Sequence, residues 1–358
     1  MTQKVLVGMS GGVDSSVAAA KLIDQGYEVI GATLMLWEGK SDPKSGNGRT
    51  CCSLEDVEDA RAVANKLNIP FYVLNMKDLF EEKVINYFIS SYFHGSTPNP
   101  CIACNRFIKF EAMLEKALIL GADFIATGHY ARIEFDADSG RHLLKKSADQ
   151  AKDQSYVLYM LKQSQLKRLL LPLGDMVKSG TRKTAFDKGL RVSSKPDSQD
   201  ICFVEGGRYG DFIKEHSDLK ILPGWFVDRQ GNKLGRHKGI INYTIGQRRG
   251  LGIAAHSPLY VLEKNVGENT VILGFKEESY RQSLIASDMN YIPFDHPATV
   301  FSAMAKVRYS SKEAEARVTP LDGHRARIEF TFPQLFVASG QAVVLYDGDL
   351  VIGGGIIE

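Results

Sequence analysis

Lys4-Val5-Leu6-Val7-Gly8 runs directly into Met9-Ser10-Gly11-Gly12-Val13-Asp14-Ser15-Ser16. A short β-branched run reads as a strand, and the Ala-rich stretch Ser15–Gln25, stopped by Gly26, reads as a helix. Between them two adjacent glycines let the backbone curl so that successive N–H groups point inward. Ser15 and Ser16 add hydroxyl donors, and the helix N-terminus adds partial positive charge. The product is a cradle for a phosphate chain. It is not a Walker A loop, because no Gly-Lys-Ser/Thr follows at the required spacing. Asp14 reads either as an ordinary acidic residue of a first helical turn or as a group that orients metal or phosphate.

Outward from this stretch, strand and helix signals alternate. Glu28–Leu36 is apolar without helix period, and Leu54–Leu67 carries Val57, Ala60, Ala64 and Leu67 at helix spacing. Pro70–Asn75 reads as a strand and Asp78–Phe93 as a helix. A break is expected at His94–Asn105, then a helix at Phe107–Leu120 ended by Gly121, then a strand at Asp123–Thr127. Such alternation predicts an α/β fold with a doubly wound parallel sheet, whose ligands bind outside the carboxyl ends of the strands. Beyond Cys202 the signals change to short strands and turns: Tyr260–Leu262, Thr270–Leu273, Ala303–Tyr309, Glu315–Pro320, Arg325–Phe332, Gln341–Tyr346 and Leu350–Ile357. These predict a small central β-rich domain and a C-terminal β-barrel. Linkers are expected at Gly206–Gly210 and, more weakly, at Glu277–Leu284, dividing the chain into 1–207, 208–278 and 279–358.

The chain has 358 residues, 44% of them apolar and 24% charged, which is ordinary globular composition with room for two or three domains. Lys and Arg number 44 against 42 Asp and Glu, so a histone-like protein is excluded and a nucleic-acid partner requires a local patch. The best stretch for one is Arg141–Lys195, with 13 basic and 4 acidic residues; it reads equally as a polyanion site or a solvated face. No apolar run reaches the length of a membrane span, and the N-terminus lacks the apolar region of a secretion signal. A cytoplasmic protein with no membrane partner is expected.

Five cysteines suit metal, redox or catalytic thiols better than a secreted disulfide framework. Thr97-Pro98-Asn99-Pro100-Cys101-Ile102-Ala103-Cys104-Asn105 holds a CxxC pair in a proline-stiffened loop. With the helix expected from Phe107, Cys104 falls just before its N-terminus, where a thiol pKa is lowered. The pair alone suits zinc, redox or iron–sulfur chemistry, and Cys51-Cys52 could complete a four-thiolate zinc site. Cys202, in Asp197-Ser198-Gln199-Asp200-Ile201-Cys202-Phe203, is far away in sequence and gains meaning only beside an activated thiol. His129 reads as a satisfied histidine beside the nucleotide before it reads as a base. Trp37, Trp225, Tyr156 and Tyr159 read as packing residues.

SGGVDSS resembles the PP-loop of the N-type ATP pyrophosphatases, which cleave ATP between the α- and β-phosphates and adenylate a carbonyl oxygen. Taken with TPNPCIACN at 97–105, ATGHYAR at 126–132, KDQSYVLY at 152–159, SSKPDSQDICF at 193–203, YTIGQRRGLGI at 243–253, VRYS at 307–310 and GGGII at 353–357, the chain resembles the bacterial tRNA-specific 2-thiouridylases over nearly its whole length. The resemblance implies a PP-loop domain followed by the two β-rich domains. It implies ATP-dependent adenylation of O2 of the wobble uridine (position 34), then sulfur transfer from a cysteine persulfide, giving 2-thiouridine, AMP and pyrophosphate. Cys202 would carry the persulfide and Cys104 would be the nucleophile that frees the sulfur through a transient Cys104–Cys202 disulfide. Gly8, Met9, Ser10, Gly11, Gly12, Val13, Asp14, Ser15, Leu34 and Gly128 would bind ATP, with Mg2+. Asn99, Pro100 and Cys101 would meet the target base, and Lys152, Asp153, Gln154, Arg308 and Tyr309 would contact tRNA. The partners implied are tRNAs for Lys, Glu and Gln and a persulfide donor such as a cysteine desulfurase or sulfur relay protein.

One position departs from the pattern. Some members carry Asp where this chain has Cys101, and a thiol is a poor acid or base at neutral pH. Cys101, Cys104 and Cys202 could instead ligate a [4Fe-4S] cluster through three thiolates. The competing function is a PP-loop ligase or amidotransferase acting on a small substrate, in which the distant cysteines have no use.

Overall fold

The computed structural model describes residues 2–37, 54–197, 201–204 and 207–358. Cys51, Cys52 and the stretch 39–50 lie outside them. Among the described residues the strands form three sheets.

The first sheet is wholly parallel. The chain lays down β1 (Lys4–Gly8), α1 (Val13–Asp24), β2 (Glu28–Met35), α2 (Leu54–Lys66) and β3 (Phe71–Asn75). It continues through α3 (Lys77–Phe80), wide π-type turns at Glu81–Ile85 and α4 (Asn86–Phe93). Then α5 (Pro100–Ala103) passes through further wide turns, Cys104–Ala112, into α6 (Met113–Ile119) and β4 (Phe124–Ala126). Strand order is β3-β2-β1-β4-β7, where β7 is Leu169–Leu170. The chain therefore winds outward from β1 to β3, then returns to the other side of β1, and the carboxyl ends of β1 and β4 flank the point of reversal. The doubly wound sheet expected from the alternation is present. Side-chain alternation on β1 explains its central place: Val5 and Val7 enter the core under α1, Leu6 enters the core on the other face, and all three are fully buried.

After β4 comes a hairpin, β5 (Ala131–Asp136) and β6 (Arg141–Lys146), then α7 (Gln163–Leu166), β7 and α8 (Lys178–Asp187), which packs on α1. α9 (Tyr209–Glu215) leads to a four-stranded sheet ordered β10-β11-β8-β9, from β8 (Gly224–Val227), β9 (Lys233–His237), β10 (Tyr260–Asn265) and β11 (Thr270–Gly274). The last strands are β12 (Tyr280–Tyr291), β13 (Phe301–Lys306), β14 (Ala314–Leu321), β15 (Arg325–Leu335), β16 (Ala342–Asp347) and β17 (Leu350–Ile357). Their order β12-β15-β14-β13-β16-β17 closes on itself through β12–β17, which gives the barrel and removes its open edges. The β5–β6 hairpin joins this sheet beside β17.

Two sequence expectations need correction. The helix expected from Phe107 starts at Pro100, because Asn99 caps it by accepting the N–H groups of Cys101 and Ile102 and Pro100 occupies the first turn without needing a donor. Cys104 therefore lies inside the helical run, and Cys101 sits in its first turn. The linker expected at Glu277–Leu284 is a short 3-10 turn followed by the start of β12, a twelve-residue strand. At 206–210 the chain leads into α9, which begins at Tyr209. The stretch Arg141–Lys195, which reads equally as a polyanion site or a solvated face, draws acids from other elements. Ten of its thirteen cations are ion-paired, with acids such as Asp14, Asp24, Asp56, Asp59 and Asp295 drawn from elsewhere in the chain.

Phe88 is fully buried and packs edge-on against Phe203 and Phe212, with ring centroids 5.4 and 6.3 Å away. Phe88→Ala is expected to lower unfolding free energy by about 3–5 kcal/mol, read by denaturant titration. A loss under about 1 kcal/mol would show that this cluster does not bind α4 to the segment around Cys202.

Candidate functional site

At the carboxyl ends of β1 and β4 the two loops approach closely. Gly11 has φ of +70°, a left-handed conformation that a side chain would strain, and a Cβ there would overlap the backbone of Asp56. A Cβ on Gly128 would lie 2.7 Å from the backbone nitrogen of Ser15. Hydrogen bonds then fix the loop. Met9 N donates to Ala32 O (2.7 Å), Thr33 Oγ1 donates to Met9 O (2.7 Å), and Ser10 N donates to Ser15 Oγ (3.1 Å).

A cavity of about 410 Å³ opens over this loop. Gly8, Met9, Ser10, Gly12, Val13, Asp14, Ser15, Leu34 and Gly128 all line it; Gly11 does not, serving the turn instead. Four lysines, Lys109, Lys152, Lys178 and Lys195, face the same space with Asp14, Asp56 and Asp197. Concentrated ammonium groups over a backbone nest suit a polyphosphate.

The charges are wired to one another. Lys178 Nζ donates to both oxygens of Asp14 at 2.7 Å and lies 2.9 Å from Asp197. Tyr130 OH also donates to Asp14 (2.9 Å). Asp197 receives Lys152 (2.9 Å) and Arg182 (2.7 Å) as well. Burial works to raise the Asp197 pKa, but hydrogen bonds from Lys178 and Lys152 overcome it and hold the carboxyl down at about 2. Nearby, Lys195 bridges Asp56 and Asp59 at 2.6 Å each, and Arg191 also binds Asp59. The sequence reading missed Lys178, Lys195 and Asp59. Their signal was the basic surplus of 141–195, which partners acids near the phosphate loop.

His129 is buried beside Gly128, and its Nδ1 lies 2.7 Å from Thr127 Oγ1. Burial, helped by Lys109, pushes its pKa well below the usual value, so it stays neutral. Of the residues expected to meet tRNA, Lys152, Gln154 and Tyr309 line the cavity. Gln154 Oε1 accepts from Tyr130 N (2.9 Å), and Tyr309 OH donates to Asp153 O (3.0 Å). The Asp153 carboxyl turns inward to Ser155 Oγ (2.6 Å) and Ser147 N (2.9 Å), and burial raises its pKa. Arg308 donates to the carbonyls of Ile245 (3.0 Å) and Phe336 (2.8 Å).

The thiols lie apart from the cavity lining. Cys101 is exposed, Cys104 is buried, Cys202 is half-buried, and no disulfide joins them. Cys104 belongs to the apolar cluster of Phe80, Phe88, Phe203 and Phe212, and Cys202 packs against that same cluster. Among the described residues no three His, Cys, Asp or Glu side chains are placed to hold a metal ion.

Residues 3–206 match a family model described as a tRNA methyl transferase HUP domain, 210–275 one described as its PRC-barrel domain, and 281–357 one described as an aminomethyltransferase β-barrel domain. A protein of Acetivibrio thermocellus named tRNA-specific 2-thiouridylase MnmA is 56% identical over 99% of both chains. One of the same name from Clostridioides difficile is 51% identical over 100% of this chain and 99% of its own. A third, from Caldanaerobacter subterraneus, is 52% identical over 99% of this chain and 98% of its own.

Gly128→Ala is expected to weaken ATP binding at least about tenfold in isothermal titration calorimetry, with circular dichroism unchanged, because the two nearest atoms its Cβ would meet, Ser15 N and Asp14 C, are backbone and cannot rotate away. Affinity within about twofold of wild type would show that the two loops do not form the nucleotide cradle.

Proposed function

The chain belongs to the tRNA-specific 2-thiouridylase family, and from that premise we propose that it is a tRNA-uridine 2-sulfurtransferase using the cavity and the thiol cluster in sequence. ATP lies over the phosphate loop and adenylates O2 of the wobble uridine, releasing pyrophosphate. The amide-like C2–O2 bond has no good leaving group until AMP supplies one. Backbone N–H groups and the lysines hold the phosphates and meet the charge that develops on them. Mg2+ accompanying ATP would neutralise charge on the phosphates, and Asp14, which lines the cavity, is the carboxylate that would face it.

The terminal sulfur of a Cys202 persulfide then attacks C2, and AMP departs with the former O2. The Cys104 thiolate attacks Cys202 Sγ, expelling the sulfur with the base and leaving a Cys104–Cys202 disulfide, which an external thiol reduces. On this reading Asn99, Pro100 and Cys101 meet the flipped base, while Lys152, Asp153, Gln154, Arg308 and Tyr309 contact tRNA, and of these Lys152, Gln154 and Tyr309 line the cavity. The acceptors are tRNAs for Lys, Glu and Gln, the sulfur comes from a cysteine desulfurase or relay protein, and the protein works in the cytoplasm. Among the described residues no helix is long and apolar enough to cross a membrane.

One observation carries the reading. Asp197, tied to the phosphate-loop Asp14 through Lys178, lies five residues before Cys202, whose neighbour Phe203 is locked among the rings that bury Cys104. With ATP, tRNA and a persulfide donor, Cys202→Ser is expected to keep tRNA-dependent pyrophosphate release within about threefold. It should lower 2-thiouridine, measured by nucleoside mass spectrometry, by at least about a hundredfold. Full thiolation by that variant would remove Cys202 from the reaction. Pyrophosphate release driven by a small substrate without tRNA would favour the ligase.

A further inference from the structure

The loop from which the Cys101–Cys104 helix springs is held by other parts of the chain. Thr97 N donates to Ser339 O (2.8 Å), and Gln341 Nε2 donates to Thr97 O (2.7 Å), both from the turn after β15. From β10 comes Lys264, whose Nζ donates to Ser96 O (3.3 Å) and Tyr243 O (3.2 Å) and lies 5.3 Å from the centre of the Tyr92 ring. Among the described residues no carboxylate is within ion-pair distance of that ammonium. A buried cation serving only carbonyls and a ring is costly to keep, and a methionine would fill its space. Its placement matters because little freedom separates Thr97 from the thiols. Pro98 and Pro100 have fixed φ, and Asn99 between them is spent capping Cys101 and Ile102.

We propose that Lys264 is a positioning residue for sulfur transfer: by bridging Ser96 and Tyr243 it fixes the start of the helix that presents Cys104. The proposal rests on the thiouridylase reading above. Burial depresses the Lys264 pKa to about 8. An ammonium bridge is stronger than that of a neutral amine, so positioning weakens as pH rises through about 8. Unfolding is not the cause of that decline. A lysine with a lowered folded pKa costs stability while protonated, and that cost disappears between about 8 and its ordinary 10.5. The other titratable groups around it are Tyr92, pushed up to about 12 by burial, Tyr209 stacked on Tyr92, Tyr243, and His237 against Tyr243, which burial keeps neutral. Thiolate formation raises the rate with pH and cannot produce the fall.

Single-turnover thiolation and pyrophosphate release are followed together from about pH 7 to 9.5 in the full chain with ATP, tRNA and a persulfide donor. Wild-type thiolation is expected to fall about three- to tenfold above pH 8 while pyrophosphate release stays level. Lys264→Arg should retain thiolation and lose the alkaline fall. Lys264→Met should lower thiolation at least about fivefold at neutral pH, with pyrophosphate release within about twofold, and speed alkylation of Cys104. An unchanged alkaline fall in Lys264→Arg, or equal loss of both steps in Lys264→Met, would overturn the proposal. Absence of 2-thiouridine from the wild-type reaction would overturn the thiouridylase reading instead. Cys104 alkylation, which needs no tRNA, still decides the positioning role: rates equal in wild type and Lys264→Met would exclude it.

Discussion

A single ammonium, that of Lys178, joins the two halves of the candidate chemistry. It reaches both oxygens of Asp14 in the phosphate loop and one oxygen of Asp197, at the head of the segment that carries Cys202. Both carboxylates and the lysine are largely withdrawn from water, so each would be costly without the others. The interaction also sets a constraint. Lys178 comes from α8, which packs on α1, the helix whose first turn holds Asp14. The phosphate loop, α8 and the Asp197 segment must therefore settle together.

The same economy recurs in the basic segment 141–195. Read as a line of text it has a large positive surplus; folded, most of that charge meets acids that approach from other elements. Near-neutral totals hide this arrangement. Around one cavity, Lys109, Lys152, Lys178 and Lys195 stand where incoming phosphates would compete with Asp14, Asp56 and Asp197.

The parallel sheet was legible because its signals are local: a β-branched run, a glycine pair and an Ala-rich helix in immediate succession. So was the strand–loop–helix geometry: nine of the ten residues expected to bind ATP line one cavity, and Gly11 shapes the turn beneath it. What escaped reading depends on pairings distant in sequence. Lys178 meets Asp14 across 164 residues, and Lys195 meets Asp56 across 139. The hairpin β5–β6 joins a barrel whose other strands begin at Tyr280. The misplaced start of the Cys104 helix has a different origin. Two prolines suggested a break, although a capping Asn followed by Pro at the first helical position is a start signal. That error moved the helix-terminal influence from Cys101 to Cys104.

The most direct test of the account follows the uridine oxygen. A substrate tRNA carrying a heavy-oxygen label at O2 of the wobble uridine is incubated with the protein, ATP and a persulfide donor, and AMP and pyrophosphate are analysed by mass spectrometry. Adenylation of O2 followed by sulfur attack at C2 predicts that the label appears in AMP in step with 2-thiouridine. Label released to water, or thiolation with no label in AMP, would contradict the account.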